Sequence, residues 1–240
     1  MTYQTQVVLL CIDRYQADGT PFFLAEISNV SVIQHWIEKI RESLPNCKIH
    51  FVVNSDDHIQ IINTILKKLN VKTEYSIHLL PQKTCGAAVS ALYVVSQFPE
   101  ESDLFIVSTN ELININLSVL RNHCIVKQSS AGVLLFKSFQ PKFSYALLED
   151  EKIVGVYQYR VVSEFATTGC FYFSKCKYFV ESASKMILKG ESVNNQFYVA
   201  LVLNELILDG KKVDYKIIDN SAYIPLKSDK DLFYSLSSRL

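Results

Sequence analysis

The chain has 240 residues, 49% hydrophobic and 20% charged, enough to bury one large α/β core or two small ones. Its 24 Lys+Arg balance its 24 Asp+Glu, and no basic run occurs, so the electrostatic footprint of a nucleic-acid binder is missing. Six scattered cysteines form no Cys-x-x-Cys pair, the five histidines carry no ligand spacing, and no apolar run reaches membrane-spanning length. Together with the lack of a signal-type N-terminus, these features favour a reducing, cytoplasmic setting.

Gln6–Ile12 is an apolar run predicted as a first buried strand. Asp13–Thr20 is polar and carries the turn signal Asp18-Gly19, and Pro21–Ile27 is extended or mixed. Val32–Leu44 has helical spacing, with Val32, Ile33, Trp36, Ile37 and Ile40 on one face, Ser31 as N-cap and Pro45 as stop. A strand Lys48–Val53, a helix Asp56–Leu69, a strand Glu74–Leu80 and a helix Cys85–Gln97 opening at Gly86 follow. The strand Leu104–Val107 comes next and ends in the polar cluster Ser108-Thr109-Asn110-Glu111. Such alternation predicts a parallel sheet with right-handed crossovers.

After a short helix at Leu117–His123 the texture changes. Ala131–Lys137, Tyr145–Leu148, Ile153–Tyr159 and Thr168–Phe173 read as strands, Cys176–Leu188 and Phe197–Leu208 as helices, Val213–Ile218 as a strand and Lys227–Leu236 as a last helix. No linker, repeat or low-complexity tract divides the chain. We therefore expect one α/β domain over residues 1–240, with a mixed, mainly parallel sheet flanked by helices. Its N-terminal half runs to about residue 125 and its C-terminal half from about residue 126 onward.

Open α/β sheets bind ligands outside the carboxyl ends of their strands. The end of Leu104–Val107 is therefore the first place to look for a site. A divalent ion held against phosphates wants oxygen ligands, and this strand end offers an amide and one acid, Asn110 and Glu111. The plainer reading is a polar turn capping a core strand.

Four stretches carry a family resemblance. The segment Pro21–Ile37 is similar to the P-K-P-L-I-x-V-x-G-K-P-M-I-x-H-V-I of the sugar-phosphate nucleotidyltransferases, in their capsule and lipopolysaccharide branch. Phe143-Ser144-Tyr145-Ala146 resembles W-S-Y-A, and Ala166–Phe173 resembles A-T-A-G-x-Y-Y-F. Asn194-Asn195-Gln196-Phe197-Tyr198-Val199, followed by Asn204-Glu205-Leu206, resembles N-G-E-F-Y-V followed by N-E-L. The likeness runs in order from about residue 6 to 232. It implies a Rossmann-like, glycosyltransferase A-type fold. The implied reaction is transfer of a nucleotidyl group from a nucleoside triphosphate to a sugar-phosphate, with release of pyrophosphate and with Mg²⁺ as the metal.

The resemblance also assigns residues. Gln82, Gly86 and Ala87, in a turn like the family's base-recognition turn, and Asn110 would bind nucleotide. Tyr145, Gly169, Asn194 and Glu205 would bind the acceptor. In an active enzyme with a non-standard loop, Arg14 and Lys83 would replace the family's basic catalytic groups and Glu111 its metal acid, beside Asn110 at the family's metal position. Against the family pattern, the loop Asp13–Thr20 keeps a single glycine, Phe22 replaces the Lys of P-K-P, and Asn110 replaces the metal-binding Asp. Gln158-Tyr159 replaces an E-K pair, Gln196 replaces the Glu of N-G-E, and the glycines of a late G-L-G-T-P-E-D-L are gone from Pro225–Leu232.

Removing preorganised charge-stabilising groups costs turnover. The sequence-based expectation is therefore a nucleotidyltransferase-like protein of surface-polysaccharide synthesis that is catalytically impaired. It would act by binding a nucleotide, a sugar-phosphate, or a protein partner, a second copy included. The alternatives are an active enzyme with a non-standard loop and a glycosyltransferase of the related fold using a nucleotide-sugar. Asn110-Glu111-Leu112 lacks the Asp-x-Asp that the last usually wants.

Overall fold

The computed structural model describes residues 4–12 and 15–237, with side chains up to 233. The first apolar run forms β1 (Thr5–Cys11), buried along its whole length. A 3-10 turn at Phe22–Leu24 leads to a small hairpin, β2 (Glu26–Ile27) and β3 (Val30–Ser31). Ser28 and Asn29 turn that hairpin at φ 54° and 62°. α1 (Val32–Ser43) starts where expected, and the Gln34 side chain reaches back to accept from the Ser31 backbone N–H at 3.1 Å. β4 (Cys47–Val53), α2 (Asp56–Lys68), β5 (Glu74–Leu79), α3 (Ala87–Val95) and β6 (Leu104–Ser108) follow in alternation.

The second half supplies β7 (Glu111–Ile113), α4 (Ser118–Val126), β8 (Ala131–Lys137), β9 (Ser144–Glu149) and β10 (Lys152–Gln158). Then come β11 (Phe165–Phe173), α5 (Cys176–Lys189), α6 (Val199–Leu208), β12 (Val213–Ile217), β13 (Tyr223–Pro225) and α7 (Asp229–Ser237).

One nine-stranded sheet joins both halves in the order β10-β9-β11-β6-β1-β4-β5, with β8 and β12 attached through β11. Within it β1, β4, β5, β6, β8, β9 and β12 run one way, and only β10 and β11 oppose them. The sheet is thus mixed and mainly parallel, and Leu104–Val107 is a buried central strand, as expected from its sequence. Apolar side chains cover both faces. Residues of α1, α2 and α4 pack on one face and those of α3, α5 and α6 on the other. Being buried on both sides is why the parallel strands read as unbroken apolar runs.

Two features were not legible in advance. Glu111–Ile113 is not a loop but β7, paired antiparallel with β13 so that Glu111 faces Pro225. β11 is longer than expected and changes neighbours along its length. Ala166 and Thr167 pair with β9, whereas Cys170–Phe173 pair with β6. β8 follows on the other side with a register break between Thr167 and Phe171. The sheet therefore forks at Thr168-Gly169.

Candidate functional site

The fork opens a cleft of about 420 Å³ at the carboxyl ends of β1 and β6. Leu10, Ile12, Ile106 and Ser108 form its floor with Thr167–Gly169. One wall is the start of α3, Gly86 and Ala87, together with Gln196 and Tyr198–Ala200. The other is Lys142–Ser144 with Gln158 and Tyr159, and Lys227 closes the corner. Among the described residues, no Asp or Glu lines it.

Glycine is required at two of these positions. Gly169 approaches β6 so closely that a Cβ would lie 2.7 Å from Ser108 Cβ and 3.2 Å from the Glu111 carboxyl carbon. Gly86, the N-cap of α3, has φ 117°, and a Cβ there would lie 2.5 Å from the Phe197 carbonyl oxygen. That is why α3 begins at Ala87 and not at Cys85. Phe197 welds the two parts of this wall. Its N–H donates to Cys85 O at 2.8 Å, and its carbonyl accepts from Ala88 N–H at 3.0 Å.

Asn194 and Asn195, at φ 51° and 58°, form the two-residue turn that sends Gln196 back toward the cleft, with Val193 and Gln196 exchanging backbone bonds at 3.0 Å. Tyr159 is bulky yet sits at φ 59°, with its hydroxyl 3.0 Å from that of Tyr198. Such a backbone costs about 1–3 kcal/mol and persists only where its surroundings hold it. Ser144 Oγ donates to Gln158 Oε1, its partner across the β9–β10 ladder, along the same wall of the cleft.

Four of the residues singled out by sequence meet here: Gly86, Ala87, Asn110 and Gly169 all line the cleft. The others lie elsewhere or do other work. Gln82 and Lys83 are exposed on the approach to α3, outside the lining. Tyr145 is fully buried on the opposite side of β9 from Ser144, and its hydroxyl donates to Gln140 O at 2.7 Å. Asn194 is exposed and serves the turn. Glu205, 1% exposed, receives both bonds of a bidentate ion pair from Lys189 Nζ at 2.8 Å, tying α6 to α5. Arg14 lies outside the described residues, as does Asp13.

Glu111 is not among the residues that line the cleft. As the first residue of β7 its side chain turns into the protein and is 0% exposed. Oε1 accepts from Gly169 N–H at 2.6 Å and Oε2 from the Tyr223 hydroxyl at 2.9 Å, with Lys227 Nζ 3.7 Å from Oε2. Burial pushes its carboxyl pKa up, against the opposing pull of Lys227, Gly169 and Tyr223. Even its carbonyl is used, by Trp36 Nε1–H at 2.8 Å.

Asn110 does face the cleft, but its Oδ1 accepts from Ser108 Oγ at 2.7 Å, and it carries no charge. Phe22 is buried behind it, beside Ser108 and Asn110. A divalent ion with hard-oxygen preferences does not fit this donor set. Among the described residues, no three His, Cys, Asp or Glu side chains gather as ligands. The cations of the cleft were missed by sequence reading, because Lys142 and Lys227 are isolated in the chain and only the fork and β13 bring them together.

No protein-family model matches the sequence, and no curated protein matches it by sequence. Solved structures do match over nearly the whole chain. A nucleoside-diphosphate-sugar pyrophosphorylase from Vibrio cholerae RC9 superposes with a TM-score of 0.79 at 16% identity, over 97% of this chain and 100% of that one. The inositol-1-phosphate CTP transferase from T. maritima gives 0.75 at 15% identity, over 98% and 97%. A UDP-glucose pyrophosphorylase complexed with UDP-glucose gives 0.76 at 13% identity, over 99% and 98%. The chain thus has the fold of the nucleoside-diphosphate-sugar pyrophosphorylases and sugar-phosphate nucleotidyltransferases.

Proposed function

We propose that this protein binds a phosphate-bearing ligand, a nucleotide or a sugar-phosphate, in the fork cleft and does not turn it over at an enzymatic rate. The reading is carried by the position and lining of the cleft. It stands at the carboxyl ends of central parallel strands, where open α/β sheets take their ligands. It presents two lysines and many neutral hydroxyls, and the described residues place no carboxylate in it. The rings of Tyr159 and Tyr198 meet edge to face, 5.6 Å apart at 79°, and Tyr159 is held in an unfavourable backbone conformation, so each offers the cleft an aromatic edge or face and a hydroxyl for a sugar or base. We place the protein in the cytoplasm, supported by six unpaired cysteines, and in surface-polysaccharide synthesis by analogy of fold alone.

Impaired transfer is supported by Asn110 and Phe22, which put an amide and a phenyl ring where charge would be needed. Loss of one preorganised charge-stabilising donor lowers turnover by about a hundredfold to a thousandfold. Losses within one catalytic unit do not simply add, yet among the described residues the cleft lining around Asn110 offers no carboxylate to restore it. The test is a coupled pyrophosphate assay over the common nucleoside triphosphates and a panel of sugar- and polyol-phosphates. Turnover on the order of one per second with any pair would promote the active-enzyme alternative. The double substitution Asn110→Asp with Phe22→Lys extends it. A gain of metal binding or activity marks a decayed transferase site. No change, with no ligand bound by either form, would leave an interaction module.

A further inference from the structure

We propose that the cleft grips a phosphate or diphosphate group directly between Lys142 and Lys227, with no divalent ion between protein and anion. The inference rests on the phosphate-ligand reading above and names the part of the cleft that does the gripping. Both lysines line the cleft, and their ammonium nitrogens lie near one ring, 5.3 Å and 5.8 Å from the centroid of Phe143. Asp231 of α7 gathers them from behind. Its Oδ1 takes Lys142 Nζ at 2.5 Å and its Oδ2 accepts from the backbone N–H of Lys227 at 3.0 Å. Glu111 stands behind Lys227 in the same way.

Neither carboxylate lines the cleft, so the cations form the front layer and the acids the back. Glu111 Oε2 lies 3.7 Å from Lys227 Nζ and already accepts from Tyr223, so the back layer holds Lys227 less closely than Lys142, which Asp231 takes at 2.5 Å. An anion entering the cleft therefore meets ammonium groups first. Among the described residues, a metal ion entering it meets the same charges and only neutral side-chain oxygens such as Asn110 Oδ1, which is already bonded to Ser108. The corner is built for an anion and against a cation. Asp231 then competes with the ligand for Lys142, because an ammonium group held at 2.5 Å by one carboxylate must be shared or released to bind another anion.

The probe is inorganic pyrophosphate, titrated by calorimetry in excess EDTA and again in excess Mg²⁺. The expected result is binding that survives EDTA and weakens with salt. Lys142→Met should weaken it about tenfold, and Asp231→Asn should tighten it severalfold. Lys227→Met strands the buried Glu111 and is expected to unfold more easily, so the half-exposed Lys142 carries the deletion test. Lys227→Arg, which keeps the charge, should retain binding. Pyrophosphate binding that needs Mg²⁺, or that ignores Lys142→Met and Asp231→Asn, would overturn the inference. If nucleotides or sugar-phosphates still bind in that case, the functional reading stands without it. If no phosphate compound binds the wild-type chain, both fall.

Discussion

Glu111 is the residue at which the structure makes its sharpest energetic demand. Replacing it with alanine removes the acceptor of two hydrogen bonds, from Gly169 N–H at 2.6 Å and from Tyr223 at 2.9 Å, and takes away the acid beside Lys227. Leaving a buried donor without its acceptor costs about 1–3 kcal/mol, and two donors lose theirs here while Lys227 loses its neighbouring acid, so Glu111→Ala should destabilise by about 3–5 kcal/mol. Glu111→Gln keeps the volume and an acceptor for Gly169, and should cost about 1–2 kcal/mol near neutral pH.

The two variants should also differ in their response to pH. Burial raises the folded-state pKa of Glu111 above its ordinary 4.5, so the folded chain holds this proton more tightly than the unfolded one. The resulting stability is complete below pH 4.5 and is lost as pH rises through the folded-state value, by at most about 1.4 kcal/mol per pH unit. Glutamine has no proton to lose. The wild-type advantage over Glu111→Gln should therefore shrink as pH rises above 4.5. Urea unfolding of the three proteins across a pH series measures this, with a shift in midpoint at constant slope as the sign of a pure stability change. A loss below about 1 kcal/mol in Glu111→Ala, or a wild-type-to-glutamine difference that ignores pH, would refute the buried-anchor role.

Other consequences can be tested with the same tools. His50 is buried between Gln6 and His78, its ring nitrogens 2.8 Å from Gln6 Oε1 and 3.0 Å from His78 Nε2, and burial with the nearby His78 and Lys48 pushes its pKa down to about 3. Its contribution is present above pH 6.5 and is lost as pH falls toward 3, so acid unfolding in that window should be milder in His50→Phe. Gly86→Ala combines a φ of 117° with a 2.5 Å approach to Phe197 O, and should lose at least about 2 kcal/mol in the same urea assay. In the native protein Cys85, the exposed thiol, should react with a thiol reagent quickly and the five buried ones only on unfolding. Several fast thiols would argue against the packing around β1 and β11.

The fold was legible because its signals are local. Apolar runs such as Val7–Cys11 and Leu104–Val107, and the 3.6-residue stripe of Trp36, Ile37 and Ile40, each fix an element without help from distant residues. The site was legible only in part. Gly86 and Gly169 stood out because both positions exclude a side chain, and the resemblance named them in order. Glu111 and Tyr145 are buried outside the cleft lining, where a shift of one residue separates cleft from core. Ser144, one step along β9 from Tyr145, and Asn110, one residue before Glu111, line the cleft instead. Lys142 and Lys227 carry no local pattern, since their shared corner depends on where β11 changes partners and on the pairing of β7 with β13. Asn194 shows the converse ambiguity. An asparagine that suits a left-handed turn is hard to tell, in sequence, from one that holds a ligand.

The most direct test of binding without turnover is a calorimetric titration of the wild-type protein with a nucleoside triphosphate and a sugar-1-phosphate together, since one trace reports both events. Binding alone gives a saturating series of heats, each returning to baseline, and that is the expected result for some member of the panel. A sustained displacement of the baseline after injection, growing with protein concentration, would mean continuing turnover and contradict the impaired reading. Heats of dilution alone across the whole panel would contradict the ligand-binding claim itself.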